Sequence, residues 1–191
     1  MRCLWIILLV LLFPSFAYAE PLVKPGERVW LLGDSNGGFL LPDLKKLAET
    51  DGVVLDGNPV GGASLLWWTD RTHRKYIWQM NGFKPDVVLI VLGTNEAHLQ
   101  PHVRVGLRER MDMLLSWTKR NGQRTILIGP PTLPEKIRKG AMEYHLLALG
   151  TGLPMLDSRQ CSFPMWPDGI HPSVPGRKVW AAWIWKELIS A

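Results

Sequence analysis

Asp86-Val87-Val88-Leu89-Ile90-Val91-Leu92, followed at once by Gly93-Thr94-Asn95-Glu96, is the stretch on which the fold turns. After Asp86 the run is apolar at odd and even positions alike, so both faces of the segment need cover. A parallel strand held between two helical layers has that property. Working upstream, Arg28 to Leu32 (RVWLL) reads as a similar strand ending at Gly33. Leu40 to Thr50 reads as a helix, Val53 to Leu55 as a short second strand, and Leu65 to Met80 as a helix. Downstream, Val103, Leu107, Met111 and Leu114 fall on one helical face within Val103 to Arg120, and Asn121-Gly122 gives a stop. Thr125 to Ile128 is a further buried strand. Thr132 and Glu135 have capping-box spacing at the start of a helix running to about Leu149, with Gly150 past its end. Met155 to Asp157 and the Trp-rich helix Val174 to Ile189 complete the pattern. Strand and helix in alternation predict an α/β fold with a parallel sheet and right-handed crossovers, in one domain.

The first nineteen residues stand outside that domain. Arg2, the apolar run Leu4 to Phe13 and the Ala17-Tyr18-Ala19 ending have the layout of a secretory signal peptide. The run is about half the ~20 residues a membrane span needs, and Pro14 closes it. The expectation is cleavage near Ala19, a mature domain over 20–191 and export to the periplasm or medium, with no stable membrane insertion. Of the two cysteines, Cys3 lies in the leader, so Cys161 has no internal disulfide partner and reads as a buried structural thiol. The formal net charge is +5, with small basic clusters at Arg71-Thr72-His73-Arg74-Lys75 and Lys136 to Lys139. Charge scattered in this way suits a solvated surface with a weak preference for anionic envelopes or polysaccharides. Nucleic-acid binding has no motif behind it.

In an open parallel sheet, ligands bind beyond the carboxyl ends of the strands. Four polar segments fall there: Gly33-Asp34-Ser35-Asn36-Gly37-Gly38, Val60-Gly61-Gly62-Ala63-Ser64, Gly93-Thr94-Asn95-Glu96 and Asp168-Gly169-Ile170-His171-Pro172. A serine hydroxyl is a weak nucleophile and needs a base oriented by a third group. Ser35, His171 and Asp168 are the candidates. The Asp-x-x-His spacing lets one turn present both side chains, with Asp168 fixing the imidazole so that its other nitrogen faces Ser35. The Ser35 amide, the Gly62 amide and the Asn95 side chain are candidate donors to a tetrahedral oxyanion. Gly61 is an alternative to Gly62.

These four blocks, in this order, resemble those of the SGNH hydrolases, the GDSL-type esterases and lipases, over nearly the whole mature chain. The resemblance implies a flavodoxin-like three-layer α/β/α sandwich with a parallel five-stranded sheet. It also implies Ser35 as nucleophile, His171 as base, Gly62 and Asn95 as oxyanion donors, and no metal or cofactor. Ester, thioester or carbohydrate-acetyl substrates are expected, small molecules or glycans alike. Two features depart from the pattern. Asn36 stands where many members carry an apolar residue, which predicts a looser or more polar entry to the first helix. Gly61 and Gly62 are adjacent. The Gly-x-Ser-x-Gly elbow of the α/β-hydrolases is absent.

Other residues carry weaker signals. His98 and His102, four apart with Pro101 between them, read as a surface loop rather than a metal pair. Glu96 reads as a site-orienting carboxylate, a helix cap or a solvated side chain. Of the ten tryptophans, those of the last helix read as packing, while Trp67 and Trp166 are candidates for stacking on substrate. Three rival functions share the pattern: an O-acyltransferase passing the acyl group to a sugar hydroxyl, a non-catalytic glycan-binding module, and a flavodoxin-like nucleotide binder. The last lacks a phosphate-cradling glycine loop.

Overall fold

Strand β3 (Val87–Val91) is buried at every position and lies at the centre of a five-stranded, wholly parallel sheet ordered β2-β1-β3-β4-β5. The flanking strands are β1 (Arg28–Gly33), β2 (Val54–Gly57), β4 (Arg124–Ile128) and β5 (Met155–Leu156). This computed structural model describes residues 20–120 and 122–190, and the leader read at 1–19 lies outside them. The helices are α1 (Ser35–Thr50), α2 (Leu65–Trp68), α3 (Arg74–Phe83), α4 (Thr94–His98), α5 (Pro101–Arg104), α6 (Leu107–Thr118), α7 (Glu135–Leu149) and α8 (Val174–Ile189).

The two-residue period of the strands divides the core in two. Val29, Leu31, Val87, Leu89, Val91, Ile126 and Ile128 face α1 and α8. Trp30, Leu32, Val88, Ile90, Leu92 and Leu127 face the opposite layer, where Trp68, Met80, Met111, Leu114 and Tyr144 meet them. A continuous apolar run is therefore two alternating faces, both covered, and the three-layer sandwich follows. The tryptophans of α8 divide as packing residues do. Trp180 and Trp185 are buried, and each indole N–H finds an acceptor, Ser158 Oγ at 3.1 Å and Asp51 Oδ2 at 2.6 Å.

Several expected boundaries shift. The first helix begins at Ser35 rather than Leu40, because Asp34 caps it and Gly37-Gly38 are accommodated within it. The helix expected over Leu65 to Met80 is broken into α2, a 3-10 turn at Arg71–His73 and α3. Asp70 causes the break by accepting from the Thr72 amide and capping the new turn. The capping box expected from Thr132 does not form. Pro134 occupies the cap position of α7 with no side-chain cap, its fixed φ directing the chain into the helix. Val103 to Arg120 is likewise two helices, α5 and α6. His98 and His102 are exposed at helix positions rather than in a loop. Cys161 is half-buried, packed against the core edge, and burial raises its thiol pKa.

Candidate active site

The sheet order 2-1-3-4-5 reverses direction between β1 and β3, so the chain leaves the carboxyl ends of those two neighbours toward opposite layers and opens a crevice there. Ser35 follows β1 directly and Asn95 follows β3. Local chemistry decides how each is presented. Asp34 turns the chain out of β1, its carboxylate accepting from the Asn36 amide at 2.8 Å, and Ser35 becomes the first residue of α1. The Ser35 N–H thus belongs to the first turn of a helix, where amides lack intrahelical acceptors and the helix dipole favours negative charge.

His171 arrives from the far end of the sequence. The turn Trp166 to His171 is closed by backbone bonds from Trp166 N–H to His171 O and from Gly169 N–H to Trp166 O, with Gly169 left-handed at φ +65°. Ser35 Oγ lies 2.9 Å from His171 Nε2, and His171 Nδ1 lies 2.8 Å from Asp168 Oδ2. A carboxylate only accepts, so Nδ1 carries the proton and Nε2 is left to accept from the serine hydroxyl. The other Asp168 oxygen accepts from the Ile170 and His171 amides at 2.8 and 3.0 Å. The His171 ring N–H, then these two amides, pull the Asp168 carboxyl down to about 2. It is ionised at neutral pH. Both side chains remain partly open to water, 27% exposed for His171 and 39% for Asp168.

Gly62 and Asn95 come from the segments that follow β2 and β3. Gly62 is left-handed at φ +75°, whereas Gly61 is not, so the turn Val60–Ala63 requires glycine at 62. Asn95 Nδ2 donates to Ala63 O at 2.8 Å, tying the side chain to the residue after Gly62. An amide nitrogen has two hydrogens, and this bond uses one.

Beneath these groups lie two buried polar side chains, Asn36 and Glu96, of which the sequence offered Glu96 as a site-orienting carboxylate or helix cap. Asn36, expected to make the helix entry looser or more polar, is fully buried. Its Nδ2 donates to Thr94 Oγ1 at 3.0 Å and to Ile170 O at 3.4 Å, joining the serine, asparagine and histidine loops. Glu96 is also fully buried, which excludes the solvated reading. Its carboxylate accepts from Leu65 N–H at 2.5 Å and Gly93 N–H at 2.9 Å, capping α4 and holding the start of α2. Burial pushes Glu96 up to about 7. It pushes neighbouring Asp34 up to about 8, with the charge of Glu96 adding to the effect. Gly93 is left-handed at φ +118°, and a Cβ there would meet the Tyr144 ring at 2.5 Å, so nothing larger fits between β3 and α7.

Of the two tryptophans singled out, Trp166 stands at the site. It is 43% exposed and edge-on to Phe39 at 5.4 Å, while Phe39 lies 5.4 Å from the His171 ring. Phe39, unmarked in the sequence, is the other half of this aromatic wall. Its signal was the helical spacing of four from Ser35, which places both at the same end of α1. Trp67 is engaged elsewhere, since His73 stacks on one face of its ring at 3.9 Å.

No family model and no curated protein sequence matches the chain. Solved structures do. The chain is similar to the acetylxylan esterase Axe2 of Geobacillus stearothermophilus, with 18% identity over 87% of this chain and 95% of that one, at a TM-score of 0.63. It is similar to a family 3 carbohydrate esterase of Clostridium thermocellum, with 18% identity over 85% and 95% at 0.66. A GDSL-like lipase of Bacteroides thetaiotaomicron matches with 19% identity over 85% and 87% at 0.56. The chain shares their fold.

Proposed function

We propose that this chain is an exported serine esterase of the SGNH type, cleaving acyl or acetyl esters with Ser35 as nucleophile, His171 as base and Asp168 as its orienting carboxylate. One observation carries the reading. Side chains 136 residues apart stand in the hydrogen-bonded order Ser35 Oγ, His171 Nε2, His171 Nδ1, Asp168 Oδ2, at 2.9 and 2.8 Å. The likeness to esterase structures supports it.

His171 Nε2 takes the hydroxyl proton as Ser35 Oγ attacks the ester carbonyl. The carbonyl oxygen becomes an oxyanion held by the Ser35 and Gly62 amides and the free hydrogen of Asn95 Nδ2. Collapse of the intermediate breaks the bond to the alcohol oxygen, which leaves with the proton from the imidazolium. Water then repeats the sequence on the acyl-serine: His171 takes its proton, the acid departs, and Ser35 Oγ recovers the proton. Asp168 stays anionic and stabilises the imidazolium at each stage. The shallow, solvent-open setting of His171 and the short wall of Phe39 and Trp166 suit a small acyl group on a bulky alcohol. An acetylated glycan is the substrate class we favour. Ser35→Ala is expected to abolish the burst of p-nitrophenol from p-nitrophenyl acetate with an unchanged circular dichroism spectrum. A burst retained in that variant refutes the assignment. A chain-length series of p-nitrophenyl esters beside acetylated xylan tests the substrate class, and a preference for long acyl chains refutes it.

A further inference from the structure

The basic cluster Arg71-Thr72-His73-Arg74-Lys75 plays no part in ester cleavage, yet the fold gives it a setting. Arg74, Ile77, Trp78 and Asn81 occupy one face of α3, at spacings of three, one and three. Arg110, Met113 and Trp117 repeat a three-and-four spacing on α6, and Arg120 follows one turn later. The two faces border a groove made of adjoining cavities of about 480 and 100 Å³ that share Arg74 and Trp117. The wider cavity is edged by Thr69, Asp70 and Arg71, directly after α2, and α2 begins two residues after Ala63. A four-residue helix is about 6 Å long, so the groove opens close to the Gly62 turn.

Two features of this surface point to a ligand. The first is its unspent charge. Arg104, Arg108, Arg124, Arg159 and Arg177 each pair with a carboxylate. Arg71, Arg74, Arg110 and Arg120, all bordering the groove, are in no ion pair among the described residues; Arg28 and Arg138 are likewise in none, but they lie apart from one another and from the groove, and Arg28 donates to Phe83 O. Arg110 donates to the Thr69 hydroxyl at 3.3 Å and lies near enough to Asp70 to help lower its carboxyl pKa, without forming an ion pair, and the Arg74 guanidinium lies over the Trp117 ring at 5.5 Å. The acidic residue here, Asp70, has its Oδ1 taken by the amide and hydroxyl of Thr72. The second feature is aromatic. Trp78 is 67% exposed, a large apolar ring left in water beside the guanidinium groups. At the lower end, Asn81 Oδ1 has no hydrogen-bond partner.

Guanidinium forks bind carboxylates in bidentate fashion, and an indole face stacks on the C–H face of a pyranose ring. From Arg74 to Asn81 the helix advances about 10 Å, which accommodates about two sugar rings. We propose that this groove binds an acidic polysaccharide, with uronate carboxylates on Arg71, Arg74, Arg110 and Arg120 and a sugar ring on Trp78. The chain connection through α2 places the mouth of the groove a few residues beyond the Gly62 turn. Binding needs none of the Ser35, His171 or Asp168 side chains, so it is measurable apart from ester cleavage.

The test is affinity electrophoresis and calorimetry of the whole protein with polygalacturonate, unsubstituted neutral xylan and single-stranded DNA at fixed salt. Polygalacturonate is expected to bind, and neutral xylan to bind at least tenfold more weakly. Arg74→Ala/Arg120→Ala and, separately, Trp78→Ala are expected to lose tenfold or more in affinity with unchanged p-nitrophenyl acetate turnover and unfolding midpoint. Lys136→Ala/Lys139→Ala, which removes the same charge elsewhere, is expected to bind normally. The proposal is overturned if the two double variants lose affinity equally, if Trp78→Ala binds like the parent, or if DNA binds as tightly as polygalacturonate.

Discussion

Glu96 is the buried group whose removal tests the architecture of the site most sharply. In Glu96→Gln one carboxylate oxygen becomes an NH₂ group, so either Leu65 N–H or Gly93 N–H faces a donor instead of an acceptor. A buried donor left without its partner costs about 1–3 kcal/mol. The substitution also removes a titration. Burial holds the Glu96 carboxyl at about 7 in the folded chain against an ordinary 4.5. The folded protein therefore retains a proton that the unfolded chain releases in this window. The contribution of this group to stability is fully present below pH 4.5 and is lost as pH rises through 7. At about 1.4 kcal/mol per pH unit, the loss from this one group is about 3 kcal/mol. Gln cannot titrate, and without the Glu96 charge the push on Asp34 also weakens, which acts in the same direction. Urea unfolding of both proteins from pH 4.5 to 8.5 is expected to show a penalty of about 1–3 kcal/mol at the acid end. That penalty should shrink or reverse above pH 7. In melting temperature each kcal/mol is about 2–4 °C for a chain of this size. Parallel stability curves, or a penalty that grows with pH, would show that Glu96 is not held protonated by burial and refute the reasoning.

Three further substitutions probe the positioning of the site. Gly140→Ala brings a Cβ to 2.5 Å from Ala97 O where α7 crosses α4, a backbone clash expected to cost about 1–3 kcal/mol in urea unfolding and to lower kcat by moving Asn95. A fully active variant of unchanged stability refutes that coupling. Gly62→Ala meets no neighbour within 4 Å but places an L-residue at φ +75°, worth about 1–2 kcal/mol of strain, so the turn is expected to shift and kcat to fall well below that of Gly61→Ala. The reverse ranking in p-nitrophenyl acetate kinetics would refute the proposed oxyanion role of Gly62 in favour of Gly61. Asp168→Asn keeps the volume and removes the anion that fixes the His171 tautomer. A fall in kcat on the order of 10³–10⁴ is expected, and a fall of less than tenfold would refute the proposed role of Asp168.

The layers were legible because they depend on local pattern. The double-sided apolar run 87–92 required cover on both faces, and glycines at 33, 57, 93 and 129 marked where the first four strands give way to loops. The Asp-x-x-His spacing was legible for the same reason, since one turn builds it: Asp168 receives the Ile170 and His171 amides from its own loop. Misplaced boundaries arose where a short polar side chain or proline competed with helical periodicity, as Asp70 does before α3 and Pro134 does before α7. Apolar spacing carries no record of such local bonds.

Local pattern along the chain is enough to say which residues follow which strand, and therefore that Ser35, Gly62, Asn95 and His171 share one edge of a parallel sheet. How they are held there depends on contacts between distant segments. Asn36 reaches Thr94 and Ile170 across gaps of 58 and 134 residues, Glu96 reaches back 31 residues to Leu65, and Phe39 meets Trp166 and His171. The reversal of the sheet between β1 and β3 likewise set the crevice. Whether a buried amide or carboxylate is a defect or a tie depends on the partners folding brings to it, and those partners lie far along the chain.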